Sequence, residues 1–323
     1  TEWRNIDMKI GFNVPVRGPG ADPAGMTEIA QRAETSGYDY IAVTDHVAVP
    51  RNIQSLYPYT EDGMFPGRAG EYLEPLSLMG FLAGITQRLQ LLTSILVVPH
   101  RPAVLAAKMI SSLDVMSGGR VILGIGAGWM REEFEAIGAP DFDARGQVTN
   151  EYLRAFKTLW TEEKPCFNGK YVNFDDLIFE PKPIQPQGPR IWAGGESRAA
   201  QRRAVTVADG WYPVGNNPKF PLDTIERYSI AQNQVKEFAR EASRNVATID
   251  FAYWAIWPWT GEVERTAEGD RKLLTGSGDE LIGDIQRLQD LGVGHLSIVV
   301  LGASVAETLG NIDRFADQII SKL

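Results

Sequence analysis

SGGRVILGIGAGWMREEF, residues 117–134, is the stretch from which the fold is read. A helical period closes at Gly118, and residues 121–126 then form a continuous apolar run of the kind found in strands buried on both faces. Gly124, Gly126 and Gly128 alternate along and just beyond it. Glycine weakens a strand, so either something approaches this backbone closely, such as a flat ring or a phosphate, or the glycines relieve crowding inside a closed sheet.

Working outward, similar runs recur at residues 9–14, 40–45, 90–98, 190–193, 210–214, 248–257 and 295–301, separated by helical periods. Eight strands alternating with helices predict an α/β fold, a closed (β/α)8 TIM barrel spanning residues 1–323 as one domain. An open doubly wound sheet is the rival, and it lacks the GxGxxG turn expected after its first strand. Helix ends support the division. Asp22 and Pro23 open a helix whose apolar stripe is Met26, Ile29, Ala30 and Ala33, and Gly37 ends it. Pro102 opens another, with Leu105, Met109, Leu113 and Met116 on one face. Ser277 with Glu280, and Ser304 with Glu307, have capping-box spacing. Two insertions interrupt the rhythm. Residues 47–74 follow strand 2, and residues 161–189 precede strand 5, where FNGKYVNF reads as a β-hairpin around Asn168 and Gly169.

A formal charge of −9 argues against nucleic-acid and anionic membrane surfaces as partners. One cysteine and three histidines are too few for a disulfide framework or a structural zinc site, and no metal is expected. No run approaches the length of a membrane helix, so the expected location is the cytoplasm. The closing Ser321, Lys322 and Leu323 match a peroxisomal address but read more simply as a last helical turn.

Barrel chemistry gathers at the C-terminal strand ends. There, Asp45 and His46 place an acid beside a group that exchanges protons near neutral pH, or else a loop cap beside a structural histidine. His100 and Arg101 are expected to be loop-solvated. Gly194, Gly195, Ser197 and Arg198 at a helix start suit a phosphate. Tyr253, Trp254, Trp257 and Trp259, with Tyr57, Tyr59 and Phe65 from the first insertion, supply barrel layers and the walls of an apolar pocket.

TDH at 44–46, TSILVVPHRP at 93–102, GGRVILGIGAGWMREEFEAIG at 118–138 and IWAGGESRAA at 191–200 follow in order, each at its own strand end. Together they resemble the bacterial luciferase-like superfamily of flavin and deazaflavin oxidoreductases, especially its F420-dependent branch. The resemblance implies a cofactor over the barrel mouth, contacted by Asp45, with His46 as the catalytic proton donor or acceptor. It implies a cis peptide between Ser94 and Ile95 that presses on the central ring. Gly194, Gly195, Ser197 and Arg198 would receive the cofactor phosphate, and Ala127, Gly128 and Glu132 would line the ring's other edge. Relatives that oxidise a sugar phosphate carry glutamate in place of Trp129, which argues against that substrate. The luciferase itself has a phosphate-binding arginine in place of Ala127, which argues against a literal copy of its FMN site.

The expected function is hydride transfer between coenzyme F420 and a small, apolar organic substrate in a pocket shaped by Tyr59, Trp129, Trp254 and Trp257. The alternatives are a monooxygenase using reduced FMN and oxygen, and a non-catalytic flavin-binding barrel. A metal-dependent hydrolase is disfavoured because His46 and His100 are too few ligands. A small-molecule substrate is the expected partner, and barrels of this kind often pair through their helices as homodimers.

Overall fold

The computed structural model describes residues 7–67 and 70–323. The first half runs β1 (Lys9–Asn13), α1 (Pro23–Thr35), β2 (Tyr40–Val43), α2 (Pro75–Ile85), β3 (Gln90–Val97), α3 (Ala103–Ser117), β4 (Val121–Gly126), α4 (Arg131–Ala136) and α5 (Arg145–Thr161). A hairpin of β5 (Phe167–Asn168) and β6 (Asn173–Phe174) leads to β7 (Arg190–Gly194), α6 (Arg198–Thr206), β8 (Gly210–Tyr212) and α7 (Ile225–Glu241). The chain finishes with β9 (Asp250–Pro258), α8 (Gly278–Asp290), β10 (Val293–Val299) and α9 (Val305–Gln318). All strands except β5 and β6 pair in parallel and close as β1-β10-β9-β8-β7-β4-β3-β2, returning to β1. This is the (β/α)8 barrel that the alternation of runs predicts, and each expected strand overlaps the observed one.

Packing has two layers. A small cluster of Tyr40, Leu92, Ile122, Trp192 and Tyr212 is separate from the large cluster that binds strands to helices. Alternation along each strand produces the split, because successive side chains point to opposite faces of the sheet.

Several local expectations are met through the predicted chemistry. Asp22 accepts hydrogen bonds from the Ala24 and Gly25 amides at 3.0 and 3.1 Å, a cap of the kind that contributes about 1 kcal/mol. Ser277 and Glu280 form a reciprocal capping box. At α9 only half of the box forms: Ser304 caps the Glu307 amide, while the Glu307 carboxylate turns to the Ala303 amide. The stripe expected on α3 is half right. Leu113 is buried and Met109 packs against the core, but Leu105 and Met116 are exposed, and the rest of the inward face is Ala103, Ala106, Ala107, Ile110, Ser111, Asp114 and Ser117. Small residues let α3 pack closely, and buried Asp114 is satisfied by the Gln185 amide and side chain at 3.1 and 2.7 Å.

Both predicted insertions leave the barrel frame. In the second, the hairpin turn falls on Gly169 to Val172 rather than on Asn168, which pairs with Asn173. Buried Glu151 fixes this turn by accepting from the Lys170, Tyr171 and Val172 amides. A third excursion, residues 259–277, fills the gap between the run ending at 257 and the cap at Ser277, and no turn or strand pattern in the sequence marks it as an insertion.

Candidate active site

A cavity of about 690 Å³ opens at the C-terminal ends of the strands. Its wall takes residues from the loops after β1, β2, β4, β7 and β8, and from the upper parts of β3 and β9. Because β2 ends at Val43, the strand alternation that would send Asp45 and His46 to opposite faces no longer applies, and both reach the wall.

His46 is gripped from one side. Its Nδ1 lies 2.9 Å from Oε2 of Glu133, and Oε1 of the same carboxylate accepts the Val47 and Ala48 amides at 2.6 and 3.0 Å. Burial would raise the Glu133 pKa, but the hydrogen bond and charge of His46 and the Val47 amide outweigh it and bring it to about 2. An ionised carboxylate only accepts, so Nδ1 carries the hydrogen of this contact and Nε2 is left to exchange a proton. Around the imidazole, the rings of Tyr72, Phe65 and Trp129 lie 4.8, 5.1 and 6.4 Å away, centre to centre.

The floor is built on β3. The Ser94–Ile95 peptide is cis, as the resemblance implies, and the β3–β4 register shifts there. A Cβ at Gly126 would stand 2.2 Å from Ile95 Cδ1, and one at Gly194 would stand 3.2 Å from it. A Cβ at Gly124 would meet the Thr93 carbonyl at 2.2 Å, and at Gly128 (φ +88°) it would meet the Phe134 ring at 2.6 Å. The alternating glycines therefore make room for protein atoms, chiefly Ile95, and the crowding explanation holds over direct ligand approach.

Beneath Ser94 runs a chain of buried hydroxyls. Ser94 Oγ is 3.0 Å from the Tyr212 hydroxyl, which is 2.6 Å from Ser297 Oγ, which is 2.9 Å from the Tyr40 hydroxyl. Its direction is decided at the far end. Among the described residues Tyr40 has no other acceptor, and a stranded buried donor costs about 1 to 3 kcal/mol. Tyr40 thus donates to Ser297, Ser297 to Tyr212 and Tyr212 to Ser94, leaving the Ser94 proton for the cavity.

The opposite end of the cavity is cationic. The turn from β7 brings Gly194, Gly195 and Ser197 to the start of α6. Beside them Arg203, buried, donates through Nε to Asn150 at 2.6 Å and through Nη2 to the Gly146 carbonyl at 3.3 Å. Arg145 donates to the carbonyls of Gly128 and Phe142 at 3.1 and 3.0 Å. Among the described residues neither guanidinium has a carboxylate partner. Burial pushes both pKa values down, which marks cations poorly compensated by the protein itself.

Comparison with known proteins decides the family. Residues 8–293 match the family described as luciferase-like monooxygenase. The chain belongs to that family. An uncharacterized protein of Mycobacterium tuberculosis is 30% identical over 288 residues, covering 87% of this chain and 97% of its own. An FMNH2-dependent dimethylsulfone monooxygenase of Pseudomonas putida is 33% identical over 192 residues, covering 59% of this chain and 48% of its own. Among solved structures, an F420-dependent secondary alcohol dehydrogenase in complex with an F420-acetone adduct superposes with a TM-score of 0.73 at 20% identity, covering 98% of this chain and 99% of the other. The chain is thus a luciferase-like oxidoreductase, and its relatives and neighbours include both F420-dependent and FMN-dependent proteins.

In this luciferase-like barrel the cavity brings together His46, Asp45, Ser94, Ile95, Ala127, Gly128, Gly194, Gly195 and Ser197, with Tyr59, Trp129 and Trp254. Four expected contacts fall elsewhere or are already committed. Both Asp45 oxygens bind Arg101, at 2.8 and 3.0 Å, and one also accepts the Val97 amide at 2.9 Å. Arg101 extends to Glu74 at 2.7 Å, so Asp45, Arg101 and Glu74 clamp the ends of β2, β3 and α2 together. His100 and Arg101 are accordingly buried, not solvated. Glu132 points away from the cavity and accepts the Gln54 and Ser55 amides at 2.7 and 3.0 Å and the Ser55 hydroxyl at 2.7 Å, stapling the first insertion to α4. Arg198 is exposed on the outer side of α6, 5.5 Å from the Phe238 ring. Trp257 is buried and donates to the Leu273 carbonyl at 3.1 Å, outside the cavity.

Glu133, Arg145 and Arg203 stand in no motif that marks them in the sequence. For Glu133 a weak local signal exists: of two adjacent glutamates at a helix start, one turns inward, and Phe134 beside it is apolar. Arg203 lies one helical repeat beyond Ala200 on the inward face of α6. Arg145 has no signal, because the loop that delivers it carries no pattern.

Proposed function

We propose that this protein transfers a hydride between coenzyme F420 and a small, largely apolar organic substrate, with His46 handling the accompanying proton. The observation that carries this reading is the His46–Glu133 pair, set in an aromatic box at one side of a cavity whose other side holds two guanidinium groups with no carboxylate ion pair among the described residues. The residues suit such a cofactor on three counts. The floor offers the Ser94 donor, Trp254 contributes a buried Nε1 with no partner among the described residues, and Arg145, Arg203 and the start of α6 suit its phosphate.

When bound, the deazaflavin would supply the ring carbon that accepts or gives the hydride. The protein's part is orientation and proton handling. Glu133 holds the Nδ1–H of His46, so Nε2 takes the proton of an alcohol as it is oxidised, or returns it to a carbonyl in the reverse direction. Tyr57, Tyr59, Phe65, Tyr72 and Trp129 keep water from this corner and hold the apolar part of the substrate.

A second reading, a monooxygenase using reduced FMN and oxygen, is favoured by one observation. Two guanidinium groups beside a helix start suit the dianionic phosphate monoester of FMN, whereas the phosphodiester of F420 carries a single charge. The experiment is a titration of the purified protein with F420 and with FMN, followed by tests of reduction of each and of oxygen uptake. Micromolar binding and turnover of F420 without oxygen consumption is the expected outcome. Tight FMN binding with oxygen uptake and no affinity for F420 refutes it in favour of the second reading, and binding without any turnover leaves a flavin-binding barrel.

A further inference from the structure

Arg17, on the loop after β1, lines the same cavity but faces the cation pair from across the mouth. In the closed barrel order β1 stands four strands from β7 in either direction, so the loop carrying Arg17 and the turn carrying Gly195 are diametrically placed. Arg17 belongs instead to the His46 side. Its guanidinium carbon lies 5.7 Å from the centre of the Tyr72 ring, and that ring lies 4.8 Å from the imidazole of His46. Among the described residues no carboxylate comes within ion-pair distance of it. Two other arginines of this rim, Arg101 and Arg131, are neutralised by Asp45 with Glu74 and by Asp143.

Its backbone is held in place. The Val16 carbonyl accepts the Leu73 amide at 2.9 Å, which ties this loop to the end of the first insertion. Gly18 at φ +69° and Gly20 at φ +83° then turn the chain away from the mouth into α1. A guanidinium on a fixed backbone, hydrogen-bonded to the Tyr72 hydroxyl but without an ion-pair partner among the described residues, is a poor neighbour for a wholly apolar substrate and a good one for a planar carboxylate, which it can grip with two parallel N–H groups. In a protein with a formal charge of −9, bulk attraction does not draw anions in, so affinity for an acid has to come from such a local contact.

We propose that Arg17 forms a carboxylate-binding subsite, and that the substrate is a largely apolar molecule bearing a carboxylate, held by Arg17 at one end and by the aromatic box beside His46. This rests on the reading of the cavity as a hydride-transfer site, with Arg145 and Arg203 reserved for the cofactor.

The test compares 4-phenylbutanoate with its uncharged amide, 4-phenylbutanamide, by calorimetric titration and saturation-transfer NMR, with and without F420 or FMN present. Wild type should bind the acid about ten-fold or more tightly than the amide, a margin that shrinks with added salt. Arg17→Gln should bind the two equally while keeping its cofactor affinity, and Arg203→Gln should lose cofactor affinity while keeping the preference for the acid. Equal binding in wild type, failure of the acid to saturate, or a preference that survives in Arg17→Gln overturns the proposal. If neither cofactor binds while Arg17 still selects the acid, the hydride-transfer reading fails and the subsite stands.

Discussion

Replacing Glu133 by glutamine should reverse the roles of the two nitrogens of His46. In the native site one carboxylate oxygen is fixed by the Val47 and Ala48 amides at 2.6 and 3.0 Å, and the other faces Nδ1 at 2.9 Å. The glutamine carbonyl must keep the first position, because turning the NH2 toward two backbone donors would strand both, at about 1 to 3 kcal/mol each. Its NH2 then faces Nδ1 and donates, so Nδ1 becomes the acceptor and the ring hydrogen moves to Nε2. A group that offered the cavity a base now offers it an acid, and turnover in the oxidative direction should fall about 10²- to 10⁴-fold. The charge loss also affects folding. The Glu133 pKa falls from an ordinary 4.5 to about 2, which corresponds to an upper limit of about 3 to 4 kcal/mol, less for a pair at a cavity wall that water reaches. A depressed carboxyl pKa stabilises the fold fully above 4.5, and this contribution is lost as pH falls toward 2. The stability gap between wild type and Glu133→Gln, measured by urea unfolding, should therefore be widest above pH 4.5 and narrow below it. With only three histidines in the chain, nitrogen-15 NMR of labelled histidine can read each tautomer directly. The same His46 tautomer in both proteins would refute the reasoning.

Four further outcomes are expected. Arg203→Gln should weaken cofactor binding about ten-fold or more, whereas Arg198→Gln, exposed on the outer face of α6, should leave it unchanged in the same titration. Tyr40→Phe removes the group that polarises the hydroxyl chain and should weaken cofactor binding several-fold without touching the cavity; an unchanged dissociation constant would show that Ser94 does not depend on it. Glu132→Gln should speed hydrogen exchange at the Gln54 and Ser55 amides about ten-fold while the His46 tautomer stays as in wild type. Gly126→Ala should drive a methyl into Ile95 and cost about 1 to 3 kcal/mol in thermal or urea unfolding.

The barrel was legible because its signal is local and repeated. Each strand announces itself as an apolar run of its own, and caps such as Asp22 and Ser277 act within a few residues of where they stand. On α3 the apolar period places Met109 and Leu113 inward but not Leu105 and Met116, because the rest of the inward face is set by how closely that helix packs, which favours alanine and serine. At the site, His46 and Gly195, just beyond the ends of β2 and β7, follow from counting strands, since the fold delivers those ends to one rim, whereas Ser94, within β3, is marked by the family resemblance alone.

The sequence alone determined the closed eight-stranded sheet, the rim on which chemistry gathers, the two insertions and the histidine at the end of β2, all of which depend on order and period along the chain. The tertiary structure decided what each charged rim residue does. It gave Glu133 rather than Glu132 to His46, Arg203 rather than Arg198 to the cavity, and Asp45 to Arg101. Adjacent residues on a helix differ by about 100° in direction, which separates Glu133 from Glu132, and charged groups find their partners by distance in space, so none of the three choices is written in the neighbouring letters.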